Sequence, residues 1–328
     1  MLACALACGG TFLAAAEAPT VRLTRAADRV RVEIGGALFT EYVFTGADRP
    51  YCYPVLASDG TALTRDFPMK QGTGDDVDHP HHRSLWFAHS DVNGVDFWNE
   101  PTGGSNRPKG KIVHDALDEV TSGSVGVIRD RNRWVAPDGR VLCTDERVQR
   151  FSGSGDTRTI DIEVTLHAPA NAPVELRDNK DGILALRLAM WLNLPHPANG
   201  AHDSGRGFTG GQGQIVNAEG VRDQAAWGKR AAWCDYHAEH HGRTYGVAIF
   251  DSPQNLNHPT WWHARDYGLF AANPLGWHDF EPKTTAAGAG THVIPAGGRI
   301  TFRHRVLIHL GDEKAAHLAE RYRDYAKP

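Results

Sequence analysis

The sequence predicts an all-β protein, a large antiparallel β-sandwich closed by a C-terminal helix. Three observations predict it. Apolar residues alternate with polar ones over most of the chain, the signature of half-buried strands. Glycine-containing turn pairs separate these runs: Asp59-Gly60, Asp138-Gly139, Asp181-Gly182 and Gly297-Gly298. Helical periodicity occurs convincingly only once, at the end.

The strands read as follows. Val30, Val32 and Ile34 alternate with Arg31 and Glu33. Ile160, Ile162, Val164 and Leu166 alternate with Asp161, Glu163 and Thr165. Leu184, Leu186, Leu188 and Met190 share a face, with Arg187 on the other. Ile300, Phe302, Val306 and Ile308 share a face that also carries His304, which reads as a satisfied core histidine. At the C-terminus, Asp312 is a cap for a helix whose stripe is Ala315, Leu318, Ala319, Tyr322 and Tyr325.

The chain has 328 residues, long enough for a large core. No solenoid repeat and no linker rich in Pro, Ser or charge interrupts it, so residues 19–328 read as one domain. The net charge of −4 offers no basic stripe for nucleic acid and no polybasic arm for a membrane surface. Residues 1–18 read as an export signal. Leu2 to Ala16 is uncharged and apolar, and Ala14-Ala15-Ala16 and Ala16-Glu17-Ala18 fit the small-x-small cleavage pattern. That run is too short to span a bilayer. The expected location is therefore periplasmic or secreted. Lipoprotein anchoring through Cys8 ranks second, because Ala5 stands where a large aliphatic residue is usual. Removing the leader leaves Cys52, Cys143 and Cys234, which read as buried small hydrophobes with at most one bridge. The stretch Gly205 to Gly213 reads as a long functional loop.

Histidine is unusually abundant, with 18 in the chain, many of them clustered. The densest polar segment runs from Asp75 to Glu100. If its backbone stays extended, as Pro80 favours for His79, then His79, His81, Arg83 and His89 share one face and His82 and Trp86 the other. Such a face is costly to bury unless its groups have partners. Three readings stand open: a metal site with His79 and His81 as ligands, a metal-free acid/base or binding site, and a structural hydrogen-bonded cluster. Asp96, Trp98 and Glu100 follow. Trp86 or Trp98 beside Arg and Asp suits a sugar, with the ring on the pyranose face and charges on its hydroxyls; the bland reading makes one of them core.

A second polar segment carries Trp262, His263, Arg265 and Asp266, with His278 soon after. His263 is the first choice as partner of the His79–His82 cluster, and Arg265–Asp266 could equally be a structural ion pair. A third segment supplies Asp178 and Lys180 as candidates facing the site; Glu146 and Arg147 are weaker ones. There is no phosphate loop, no His-Glu-x-x-His and no Gly-x-Ser-x-Gly, and the glycines near Gly207 do not sit between a strand and a helix.

The runs His79-Pro-His-His-Arg83, Val95-Asp-Phe-Trp98, Trp262-His-Ala-Arg-Asp-Tyr-Gly-Leu-Phe270 and Pro295-Ala-Gly-Gly298 together resemble a bacterial family of unknown function often labelled "methane oxygenase PmoA". The likeness covers about Val30 to His309. The label implies a copper-dependent membrane subunit, yet no segment beyond the leader approaches the roughly 20 apolar residues of a membrane span. Label and sequence therefore disagree. The resemblance also implies genomic company with sugar oxidoreductases and glycan-degrading enzymes. With the β pattern, it implies a sandwich similar to galactose mutarotases and some polysaccharide lyases, a fold-level analogy. It supplies no set of catalytic residues.

The functional expectation is an exported carbohydrate-active enzyme of lyase, hydrolase or epimerase type, acting on a small-molecule or oligosaccharide substrate. His81 or His82 is the acid or base, with His263 or Asp178 as partner. Arg83 neutralises charge, and Trp86, His89, Asp96, Trp98, Trp262, Arg265 and His278 contact the substrate. Two alternatives stand beside it: a metal-dependent oxidase or oxygenase holding a divalent metal on His79, His81 and a distant histidine, and a non-catalytic glycan-binding envelope protein.

Overall fold

A computed structural model describes residues 20–101, 105–195 and 210–327. Residues 1–18, expected to be an export signal, and positions 205–209 of the glycine-rich loop lie outside the described residues. Two antiparallel eight-stranded sheets dominate. In order across the first sheet are Val21–Arg25, Arg29–Ile34, Ala37–Val43, Tyr51–Cys52, Leu85–His89, Gly182–Arg187, Leu269–Asn273 and Trp261–Ala264. Across the second are Gln214–Asn217, Trp233–His240, Arg243–Asp251, Arg299–Leu310, Thr157–His167, Val141–Ser154, Gly126–Val135 and Lys111–Thr121. A two-stranded ribbon, Val174–Leu176 with His292–Ile294, completes the β structure.

The predicted alternation decides which face is inside. Ile160, Ile162, Val164 and Leu166 are all buried on the second sheet, and Leu184 and Leu186 on the first. Contacts such as Phe87 with Trp134 and with Phe302 join the inner faces into one apolar core. His304 is buried and lies 3.5 Å from Asp251, as a satisfied core histidine should. Cys52, Cys143 and Cys234 are all free and buried. No helix among the described residues is long and apolar enough to cross a membrane.

Two local expectations change. Asp181-Gly182 is not a turn: Gly182 opens a central strand opposite His89. Glycine is needed there because a Cβ would lie 2.5 Å from His89 Nδ1. The C-terminal helix runs only from Leu318 to Tyr325. Asp312 does cap, accepting from the Ala315 amide at 2.8 Å, but it caps a separate turn. The packed side chains are accordingly Ala316, Leu318, Tyr322 and Tyr325, while Ala315 and Ala319 are exposed. They cover Trp233, Phe250 and Leu307 on the outer face of the second sheet.

Candidate functional site

The first sheet has a polar outer face. Register places Trp86 opposite Ala185, Ala185 opposite Ala271, and Ala271 opposite His263. Side chains alternate along a strand, so Arg187 shares this face with Ala185, while Phe87, Leu184 and Phe270 point inward. The segment from Arg65 to Ser84 lies over this face. It is fastened by Arg65, whose amide donates to the Arg187 carbonyl at 3.0 Å. The Arg65 side chain, fully buried, donates to the carbonyls of Phe67, Asp76, Asp78 and His79.

This clamp explains why the His79–Arg83 run is not extended. His79 adopts a left-handed backbone, φ 44°, and the His82 amide returns to the His79 carbonyl at 3.0 Å. Histidine tolerates that region better than most residues, and the Arg65 contacts override the extended preference set by Pro80. The strand begins only at Leu85. The expected split of the histidines between two faces therefore fails, and His79, His81 and His82 gather in one cluster.

Four near-parallel rings form a column. Tyr267 stacks on His79 at 5.3 Å and 8°, His79 on His82 at 4.7 Å and 9°, and His82 on Trp86 at 5.3 Å and 22°. His81 and Trp98 meet His82 edge-on. Asp78 sits beside the column. One carboxylate oxygen binds the Arg65 and Arg187 guanidiniums, the latter at 2.9 Å, and the other accepts from His79 Nδ1. Arg187 also contacts His82 Nδ1 at 3.2 Å and lies 4.7 Å from the Tyr267 ring centre.

The proton positions follow. Arginine can only donate, so His82 Nδ1 is the acceptor and its proton sits on Nε2. Asp78 is held well below the usual carboxylate range: burial opposes this, but the His79 bond and the Arg187 and Arg65 charges outweigh it. An ionised Asp78 makes His79 Nδ1 the donor and leaves the lone pair on Nε2. His81 and His82 are pushed well below ordinary histidine, first by burial, then by neighbouring charge, led by Arg49 for His81 and by the adjacent histidines and Arg187 for His82. Both are neutral at physiological pH, and the His81 Nδ1 and Trp86 indole nitrogen are buried with no hydrogen-bond partner. Only His79 reaches solvent, with 22% of its side chain exposed, against 5% for His81 and 1% for His82.

The rings of His79 and His82 do not converge on a common point. An ion lies in the plane of the imidazole that binds it, and the parallel planes of His79 and His82 never meet near the site. His79 and His81 cross at 71°, but among the described residues no group of three or more His, Cys, Asp or Glu side chains is arranged to hold an ion.

Other expected site residues sit elsewhere. His263 shares the outer face but stands three strand spacings, about 14 Å, from Trp86. Its Nδ1 donates to the Lys180 carbonyl at 3.1 Å, and burial keeps it neutral. It is not the partner of the cluster. Arg83 is committed to Glu100 through bonds of 2.6 and 3.0 Å. His89 faces inward and contacts the Arg177 carbonyl at 2.7 Å. Trp262 is core, its indole N–H on the Ala231 carbonyl. Asp96 is a buried hub for the Trp98 and Asn99 amides, Ser105 and Lys109. Asp178 accepts the His278 and Gly290 amides, and His278 Nδ1 donates to the Thr285 carbonyl; both shape a loop. Trp86 and Trp98 belong to the cluster but are buried beneath it, so neither offers a face to a sugar. Arg265 does lie nearby, 5.6 Å from the Tyr267 ring centre. The residues missed from sequence are Asp78, Arg65, Arg187 and Tyr267. Arg187 had a signal, a lone charge on the back of an apolar strand.

A family model described as a family of unknown function, DUF6807, matches residues 29–323. The chain belongs to this family. The family is described without an activity, so the membership lends nothing to the methane-oxygenase label. Comparison with curated proteins gave no match. Among solved structures, the DUF6807 chain is similar to an α-galactosidase from Lactobacillus brevis, at 8% identity and a TM-score of 0.40, over 90% of this chain and 40% of that one. It is also similar to a galactose mutarotase-like protein from Lactobacillus casei, at 8% identity and 0.36, over 88% of this chain and 100% of that one. A GH36 α-galactosidase from Geobacillus stearothermophilus matches at 9% and 0.34, over 89% of this chain and 40% of that one. The chain thus spans well under half of either α-galactosidase.

Proposed function

We propose that this DUF6807 protein is an exported carbohydrate-active enzyme that moves protons on a sugar, with His79 as the acid/base group. The observation that carries this reading is the Asp78–His79 pair. A buried ionised carboxylate, neutralised by Arg65 and Arg187, holds His79 Nδ1 and so places the ring's lone pair on Nε2, at the one partly exposed histidine of the cluster. A carboxylate that orients an imidazole is the arrangement a general base needs. His81 and His82, the groups expected to act, serve instead as a neutral floor. Being uncharged, they let His79 take a proton without like-charge repulsion from below.

The reaction class is proton transfer at a C–H or O–H of the sugar, the step shared by lyases, epimerases and hydrolases. His79 Nε2 takes the proton, the resulting imidazolium is stabilised by Asp78, and the proton is returned to the leaving oxygen or to carbon. The test is a panel of neutral oligosaccharides and uronic-acid polymers, scored for new reducing ends, unsaturated ends and deuterium uptake. Wild type is expected to convert at least one member, and His79→Gln to be slower by about 10²–10⁴-fold. Equal turnover by His79→Gln overturns the assignment.

A further inference from the structure

Arg265 lies beside the column and has no counter-charge among the described residues. Its guanidinium lies 5.9 Å from the Trp227 ring centre and 5.6 Å from that of Tyr267. Among the described residues it makes no side-chain hydrogen bond and no ion pair, unlike Arg65, Arg83 and Arg187, each of which has a carboxylate partner. A cavity of about 210 Å³ opens here, lined by Gln224, Trp227, Ala264, Arg265 and Asp266. The Trp227 indole nitrogen is buried with no hydrogen-bond partner. A second donor therefore waits beside the unpaired guanidinium. The buried indole nitrogen is costly to leave unsatisfied.

The donor set identifies a ligand chemistry. A guanidinium beside two aromatic rings is oriented but not neutralised, and its planar fork matches a carboxylate. An indole N–H adds one further bond to an oxygen. Gln224 and Asp266, 3.5 Å apart, supply amide and carboxylate groups suited to sugar hydroxyls. Tyr267 links this cavity to the reacting residue, because its ring touches Arg265 and stacks on His79. We propose that the cavity is a carboxylate subsite and that the substrate is an acidic sugar, a uronate, whose carboxylate pairs with Arg265 while the ring extends past Tyr267 towards His79. The substrate role rests on the acid/base reading of His79; the subsite does not.

The experiment is binding of D-glucuronate to the full chain, followed by tryptophan fluorescence, with D-glucose and acetate as controls. Arg265→Gln and Arg265→Lys are compared with wild type after their thermal melts are matched. Glucuronate is expected to bind about tenfold or more tightly than glucose or acetate, to weaken with added salt, and to lose that advantage in Arg265→Gln, with partial retention in Arg265→Lys. Equal binding of glucose and glucuronate, equal binding of acetate and glucuronate, no binding of glucuronate, or unchanged binding in Arg265→Gln each overturns the proposal. The two readings fail separately. His79-dependent turnover of a neutral glycan without glucuronate binding removes the subsite and leaves the acid/base role. Arg265-dependent glucuronate binding with no His79-dependent turnover does the reverse.

Discussion

The Asp78 carboxylate accepts the Nδ1 proton of His79, and this one contact fixes which nitrogen of His79 carries the lone pair. The same carboxylate pairs with the buried guanidiniums of both Arg187 and Arg65, so it has two duties, one chemical and one structural.

Removing that charge exposes the structural duty. Asp78→Asn removes the carboxylate that two buried guanidiniums share, and loss of one partner of a buried ion pair costs about 3–5 kcal/mol. Urea unfolding should show a loss of that order. Glu163→Gln, which breaks a half-exposed pair with Arg303, should cost about 1 kcal/mol or less. A loss at Asp78 no larger than at Glu163 contradicts the assigned clamp.

The neutral histidines predict acid sensitivity. His81, His82, His263 and His89 all have folded pKa values below the ordinary 6.5, in each case chiefly through burial. Below pH 6.5 the unfolded chain takes up protons that the fold refuses, so stability falls as pH drops, by up to about 1.4 kcal/mol per pH unit for each group. Urea midpoints at about pH 7.5 and pH 5.5 check this. An unchanged or rising midpoint on acidification means that these rings charge inside the fold.

His237 should run the other way. Its Nδ1 donates to the buried Asp235 at 2.8 Å, and Asp235 also accepts from His309 at 2.9 Å. Burial works against the charged ring, but the Asp235 bond and charge, with Glu313, raise its pKa. A raised folded pKa stabilises below the unfolded value near 6.5 and is lost as pH climbs through the folded one. The stability gap between wild type and His237→Gln should therefore be larger near pH 6 than near pH 9. A gap that grows with pH contradicts the pairing.

Gly182→Ala should destabilise by about 1–3 kcal/mol, the usual cost of overpacking, because the new Cβ meets the His89 ring. A thermal melt measures it. A neutral or stabilising result would mean that His89 can move away.

Much of the sandwich was legible because period-two alternation reports which face is buried, and Ile160 to Leu166 or Leu184 to Leu186 can bury only one. The site was legible as a neighbourhood. His79, His81, His82, Trp86 and Trp98 do meet, and His263 lies on the same sheet face. Its internal order was not legible, because the left-handed turn at His79 depends on Arg65, which is fastened to Arg187, 122 residues further along the chain. His263, Asp178 and His278 misled for a related reason: each carries a chemically capable group that the fold spends on a nearby backbone group. Gly182 after Asp181 looked like a turn because a close approach by His89 leaves the same residue type as a positive φ does.

The most direct test of the dyad is a double-mutant cycle on the glycan that wild type converts, using Asp78→Asn, His79→Gln and both together. Only variants shown to be folded by circular dichroism are compared. If Asp78 acts through His79, the double variant is no slower than His79→Gln alone, because residues acting as a unit are strongly non-additive. If the two rate losses multiply, Asp78 and His79 act independently, and the oriented acid/base pair is not what drives the reaction.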